Sequence, residues 1–321
     1  PDAVDIVPKL VDFFDEPFAD SSAIPCYYLS ELARRHVTVA LGGDGGDEVF
    51  AGYETYTAWK VASIYRGLSG TFRSVIPSLV SRLPVSHRKV SFDYKAKRFI
   101  QGALLPPERG HYAWKEVFSD EMKAHLYAAN GHQTLEDPFR VFERQFAKCR
   151  ATGMLSRLQY VDQRVYLPDD ILVKVDRTSM AHSLEARVPL LDHKLVEFAA
   201  TIPPELMLKG LCKKYLLKRV MAHRLPRKIL NRRKGGFNVP IPAWLRHELR
   251  DYVRDVLSEK RLREQGFFNP QYVQQLVRDH NELKADYSRN IWGLLIFALW
   301  HEQYGTGVMP AGAGQAAVRG V

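Results

Sequence analysis

Residues 42–48, Gly-Gly-Asp-Gly-Gly-Asp-Glu, place three carboxylates on a turn that also holds four glycines. Gly42, Gly43, Gly45 and Gly46 can adopt left-handed backbone and let N–H groups come close to a ligand. Asp44, Asp47 and Glu48 would repel bare phosphate. A hard cation such as Mg2+, held by one or two of these carboxylates and bridging to phosphate oxygens, removes that conflict. The turn therefore reads as a nucleotide and metal site. Glycine and aspartate are also common turn formers, so an ordinary αβ connection is the alternative.

Two later stretches carry charge in patterns that chemistry can use. In 166–192, YLPDDILVKVDRTSMAHSLEARVPLLD, several charged residues stand among apolar ones. Asp170 and Lys174 share a helical face, as do Asp176 and Met180. Glu185 and Arg187 read as a buried structural pair that fixes loop geometry. Lys174, Asp176 and Arg177 join a site only if this segment borders the glycine turn. In RRKGGF, Lys234 precedes a Gly-Gly hinge and can approach phosphate as a point charge, with a solvated basic turn as the alternative. The histidines are scattered, and no Ser/His/Asp arrangement is evident.

These residues need elements to hold them. Val37–Leu41 is a short, β-branched apolar run of the kind expected for a buried parallel strand, and Val49–Ala51 can begin a helix. Strand, glycine turn and helix in succession build a ligand site at the carboxyl end of a strand in an open α/β sheet. Before the strand, residues 3–14 have helical apolar spacing. An acidic loop, DEPFADSSAIP, then leads into the helix IPCYYLSELARR with its basic end. From Thr55 to Arg150 the chain reads as successive helices punctuated by Pro and Gly. Closing helices include NPQYVQQLVRDHNEL and NIWGLLIFALWHEQY, the latter with Trp292, Leu295, Ile296 and Trp300 on one apolar face. The tail 305–321 lacks periodicity and is expected to be disordered.

The 321 residues, 46% hydrophobic, suffice for a substantial core. Forty-six Lys+Arg against 36 Asp+Glu leave a net charge of +10, concentrated in runs at 87–89, 213–219 and 224–234. Aromatic residues are not interleaved on these runs, and no zinc-finger or RNA-binding motif is present, so nucleic acid is not the expected partner. Cys26, Cys149 and Cys212 are widely spaced and odd in number, which suits free thiols in a reducing cytoplasm rather than disulfides or zinc. No run approaches the length of a transmembrane helix. The opening PDAVDIVPKL reads as mid-protein sequence, so a fragment is expected.

DEPFADSSAIP, GGDGGDEVFAGY, YLPDDILVKVDRTSMAHSLEARVPLLD, RRKGGF and LLIFALWHEQY occur in this order, and together the chain resembles the synthetase domain of glutamine-dependent asparagine synthetases. The resemblance spans residues 10–304. It implies a predominantly helical α/β fold: the remainder of a parallel, doubly wound nucleotide-binding sheet of the adenine nucleotide alpha-hydrolase type, with a large helical region. One partial synthetase domain over 1–304 follows. The implied reaction uses ATP to adenylate the side-chain carboxylate of aspartate, releasing pyrophosphate, after which ammonia displaces AMP to give asparagine.

By position, Asp44 takes the place of an acidic residue acting on the ammonia and the intermediate, and Asp47 that of a Mg2+ ligand. Gly42 and Gly43, with Gly45 and Gly46 on the same turn, lie where the backbone meets nucleotide. Lys234 takes the place of a lysine that stabilises the adenylated intermediate and pyrophosphate. Implied partners are aspartate, ATP and ammonia from glutamine, without nucleic acid or membrane, and a homodimer is allowed. Gly42 stands where the family usually has Ser, and Asp44 where some members have Glu. The family's SGG-x-DS pyrophosphate loop and glutaminase domain do not occur in these residues. The chain as given is therefore expected to bind ATP poorly and not to hydrolyse glutamine. A relative amidating another carboxylate, in secondary metabolism or exopolysaccharide assembly, and a non-catalytic helical scaffold are the alternatives.

Overall fold

The computed structural model describes residues 3–83, 92–127, 136–232, 235 and 239–305. The chain opens with α1 (Ala3–Phe13), α2 (Ala23–Arg34), β1 (Val39–Leu41) and α3 (Gly46–Val49). Six helices follow: α4 (Glu54–Arg66), α5 (Gly70–Ser81), α6 (Phe92–Ala103), α7 (Pro107–Ala113), α8 (Asp120–Leu126) and α9 (Phe139–Lys148). Next, α10 (Met154–Val161) runs into a π-helix (Asp162–Leu172), α11 (Val173–Met180) and β2 (Glu185–Arg187). Beyond β2 come α12 (His193–Ala200), α13 (Pro204–Met207), α14 (Tyr215–Val220) and α15 (Arg227–Leu230). The last helices are α16 (Ile241–Arg246), α17 (Arg250–Val256), α18 (Glu259–Gln265), α19 (Pro270–Asn281) and α20 (Ser288–Trp300), which a π-turn (His301–Gly305) closes.

These elements divide between two compact units, one of residues 25–116 and 135–238, the other of 1–24, 117–134 and 239–321. The first carries the sheet. β1 and β2 pair in parallel, Val39 with Glu185, Ala40 with Ala186 and Leu41 with Arg187. The Glu185 N–H also donates to the Thr38 carbonyl at 2.9 Å. A parallel pair needs a long crossover, and here α3 to α11 supply it. The core of this unit gathers Val49, Phe50 and Ala51 behind the glycine turn with Tyr56, Tyr112, Phe142, Phe146, Leu155, Leu158 and Val161.

The strand at 37–41 was expected to be buried, and it is not: Leu41 is 74% exposed, and Val37 and Val39 are exposed as well. Burial of a parallel sheet requires helices over its faces, and among the described residues β2 is the only strand partner of β1. Glu185 and Arg187 do pair, with Nε to Oε1 at 2.7 Å, but the pair lies on the surface rather than in the interior.

The second unit is helical. Ile6, Val7, Leu10 and Val11 on one side of α1, and Phe14 just past its end, are all buried, and α1 packs on α20. Trp292, Leu295 and Ile296 are buried on α20, which also meets α16, α17 and α19. Asn269 caps α19, accepting hydrogen bonds from the N–H groups of Gln271 and Tyr272, with Pro270 in the first turn. Of the tail expected at 305–321, Gly305 ends the π-turn and the remainder lies outside the described residues. Among the described residues no helix is long and apolar enough to cross a membrane.

Candidate functional site

The glycine turn leaves β1 through Gly42, whose N–H donates to the Arg187 carbonyl at 2.7 Å and so extends the β1–β2 ladder. Gly45 has φ 79°, and a Cβ there would lie 2.1 Å from Leu191 Cδ2. Backbone and space both demand glycine at this position. A Cβ at Gly42 would sit 2.8 Å from Asp44 Oδ2, so the Asp44 carboxylate folds back over Gly42; Gly43 faces open space. The chain then enters α3 at Gly46, and Val49 N–H bonds back to Gly45 O at 2.9 Å.

The three carboxylates of the turn separate. Asp44 and Asp47 stay partly exposed, whereas Glu48 is 1% exposed and turns inward. Burial pushes the Glu48 carboxyl up, against a hydrogen bond donated by the Tyr53 hydroxyl that favours its charged form. The backbone of this turn is clamped from α10 and the π-helix that continues it: Gln159 Nε2 donates to the Glu48 and Val49 carbonyls, both at 3.0 Å, and Gln163 Nε2 to Glu48 O at 3.3 Å.

Behind Tyr53 lies a buried polar cluster. Asp162 accepts from Tyr56 Oη at 2.7 Å, meets His111 Nε2 at 2.9 Å and pairs with Lys115 Nζ at 3.3 Å. Burial alone would raise the Asp162 carboxyl, but the His111 and Lys115 charges and these hydrogen bonds outweigh it and hold it down at about 2. Burial pushes His111 the other way, below its ordinary value. Lys115 Nζ also stands over the Tyr166 ring at 3.9 Å and the Tyr53 ring at 4.9 Å, cation–π contacts that steer both rings.

Asp47 is met by a residue that the sequence had shown only as part of a basic run. Lys214 Nζ lies 2.9 Å from Asp47 Oδ1. Asp162, Lys115, His111 and Gln159 were likewise not singled out. Asp162 opens a polar triplet with Gln163 and Arg164 between apolar flanks, so no local pattern marks the buried cluster. Lys234, with Gly236 and Phe237, lies outside the described residues.

The segment 166–192 does border the turn: its π-helix packs on α3, and β2 pairs with β1. Lys174 is buried and pairs with Asp170 at 3.8 Å. Asp176 and Ser179 line a cavity of about 230 Å3 between α11 and β2.

The family model described as asparagine synthase matches residues 1–302. The chain is 34% identical over 296 residues to "Asparagine synthetase [glutamine-hydrolyzing] 1" of Bacillus subtilis, covering 92% of this chain and 45% of that protein. It is 30% identical over 296 residues to a putative asparagine synthetase [glutamine-hydrolyzing] of Mycobacterium tuberculosis, 92% of this chain and 44% of that one. A putative asparagine synthetase [glutamine-hydrolyzing] 2 of Methanocaldococcus jannaschii matches at 32% over 192 residues, 56% of this chain and 33% of that one. The chain spans just under half the length of the first two relatives.

Proposed function

Because the chain belongs to the asparagine synthase family, we propose that it is the ATP-using part of an enzyme that converts aspartate to asparagine. In the first step an oxygen of the aspartate side-chain carboxylate attacks the α-phosphorus of ATP, and the bond to pyrophosphate breaks. In the second, ammonia attacks the acyl carbon of aspartyl-AMP, the bond to AMP breaks, and a proton leaves the nitrogen. Asp44, folded over Gly42 and partly exposed, is the carboxylate assigned to that proton. Gly42, Gly43, Gly45 and Gly46 present backbone to the nucleotide. Lys234 is assigned to the negative charge that develops during adenylation. Ammonia would come from glutamine hydrolysed by a glutaminase domain.

The residues of the turn fit Mg2+. Among the described residues no three His, Cys, Asp or Glu side chains converge as a complete cage. Mg2+ does not need one, since it commonly takes one or two carboxylates with phosphate oxygens and water. Asp47, with Asp44 two glycines away, offers that donor set, and Asp47 already carries a cation, the Lys214 ammonium. When bound, Mg2+ would shield charge on the α- and β-phosphates and on departing pyrophosphate.

The observation that carries this reading is a cation-bearing, partly buried aspartate on a glycine turn at the carboxyl end of a parallel strand. Aspartate-dependent exchange of labelled pyrophosphate into ATP tests it, run on the chain and on the longest polypeptide of its reading frame. Exchange that requires aspartate and is lost in Asp47→Asn is expected. Exchange that prefers another carboxylic acid would move the substrate, and none with any acid would end the reading.

A further inference from the structure

Lys214 is placed with more structural detail than a lysine in a surface run requires. Its backbone is left-handed at φ 51°, at the amino-terminal cap of α14, a conformation that residues with side chains seldom adopt. The turn before it is closed by reciprocal backbone bonds between Lys209 and Cys212, at 3.2 and 2.9 Å, with Gly210 at φ 59°. Two successive lysines thereby diverge. Lys213 pairs with Glu54, and Lys214 reaches Asp47.

The glycine segment is shaped to receive the second of these side chains. A Cβ at Gly52 would lie 2.3 Å from Lys214 Cε and 1.8 Å from Asp47 Oδ1, and one at Gly46 would lie 3.5 Å from Lys214 Nζ. Bare backbone at Gly46 and Gly52 thus makes the slot in which ammonium and carboxylate meet. The Gly52 N–H also bonds to the Asp47 carbonyl at 2.8 Å, which fixes the slot against Asp47 itself. Asp47 Oδ1 itself is covered, but the side chains as a whole are 28% exposed for Lys214 and 21% for Asp47, so the lysine can swing out toward solvent.

We propose that the Lys214 ammonium is the resident counter-ion of Asp47 while no nucleotide is bound, and that it competes there with a free divalent cation. The metal then enters this site effectively only together with the nucleotide, whose phosphate oxygens add the ligands needed to displace an ammonium. This rests on the assignment of Asp47 as the metal-binding carboxylate.

The test is Mn2+ binding without nucleotide, read from the loss of the free aquo-ion signal in electron paramagnetic resonance. The samples are the 321-residue chain and its Lys214→Met, Lys214→Arg and Lys214→Met/Asp47→Asn variants. Removing one positive charge beside a partly exposed carboxylate should tighten Mn2+ by about tenfold at low salt. Lys214→Arg should bind as the parent does, and the double variant should lose the gain. Lys214→Gln is read the same way if circular dichroism shows the Met variant to be unfolded. A Lys214→Met protein that binds Mn2+ no tighter than the parent overturns the proposal, as does a gain that survives Asp47→Asn. A tightened, Asp47-dependent Mn2+ site without aspartate-dependent pyrophosphate exchange would sustain the counter-ion and remove the asparagine-forming reading; exchange without that site would do the reverse.

Discussion

Replacing Asp162 by Asn should cost about 3–5 kcal/mol of stability at neutral pH. Three donors converge on this fully buried carboxylate: the Tyr56 hydroxyl, His111 Nε2 and the Lys115 ammonium. An asparagine offers them one oxygen and sets its own N–H groups against the rest. It also strands Lys115 beside a neutral group, and a buried pair broken from one side loses about 3–5 kcal/mol. Holding the carboxyl at about 2 rather than an ordinary 3.8 corresponds to about 2 kcal/mol, so the charge supplies roughly half of the effect. A carboxyl lowered in the fold stabilises fully above its unfolded value and loses that stability as pH falls toward its folded value. The gap between parent and variant should therefore narrow between about pH 4 and pH 2. His111, lowered by burial, makes both proteins less stable as pH drops below about 6.5, and the variant more so because Asp162 is what holds the imidazole up. The Asp162 carboxyl is therefore read from the change in the gap between about pH 4 and pH 2. Urea unfolding monitored by circular dichroism from pH 7 to pH 2 measures it. A variant within about 1 kcal/mol of the parent at pH 7, or a gap that does not narrow between about pH 4 and pH 2, would refute the reasoning.

Gly45→Ala combines a left-handed backbone with a clash against Leu191 and should lose about 2–4 kcal/mol in thermal unfolding. Gly43→Ala, facing open space, should change stability by less than about 0.5 kcal/mol in the same measurement. Tyr53→Phe removes the hydroxyl that donates to buried Glu48 and should cost about 1–3 kcal/mol by urea unfolding. In the helical unit, Leu295→Ala, at a fully buried position of α20, should cost about 2–5 kcal/mol.

Periodicity and punctuation carry the parts of this protein that depend on neighbours in sequence. The α1 stripe from Ile6 on and the helix read from Asn269 are local patterns and are found in place. By contrast, α20 buries Ile291, Leu294 and Ala298 besides Trp292, Leu295 and Ile296 and leaves Trp300 half-buried, so it is enclosed rather than one-faced. The strand itself is local too, but whether it is covered depends on what packs over it, and apolar composition at 37–41 does not report that. Charge pairing is the least legible. Lys214 is 167 residues from Asp47, and nothing in KGLCKKYLLK distinguishes it from Lys213, because the choice is made by a left-handed turn and two distant glycines. The Tyr56–Asp162–His111–Lys115 cluster joins four separated positions on three helices and the loop after α7. Asp162 sits in an ordinary-looking Asp-Gln-Arg triplet, so nothing local hints at it.

The wide winding from Asp162 to Leu172 also sets the phase of everything downstream. Gln159 just before it and Gln163 at its start hold the backbone of the glycine turn, while Lys174, just past its end, is tied to Asp170. A segment wound with i→i+5 bonds holds more residues per turn than an α-helix. Dropping a single residue here would press the coil toward ordinary pitch, which Pro168 resists because it has no N–H and its ring would crowd the carbonyl four residues back. It would also swing the following side chains by about 100°. Apart from Asp162 at its start, the length of this stretch is what deletion variants should find intolerant.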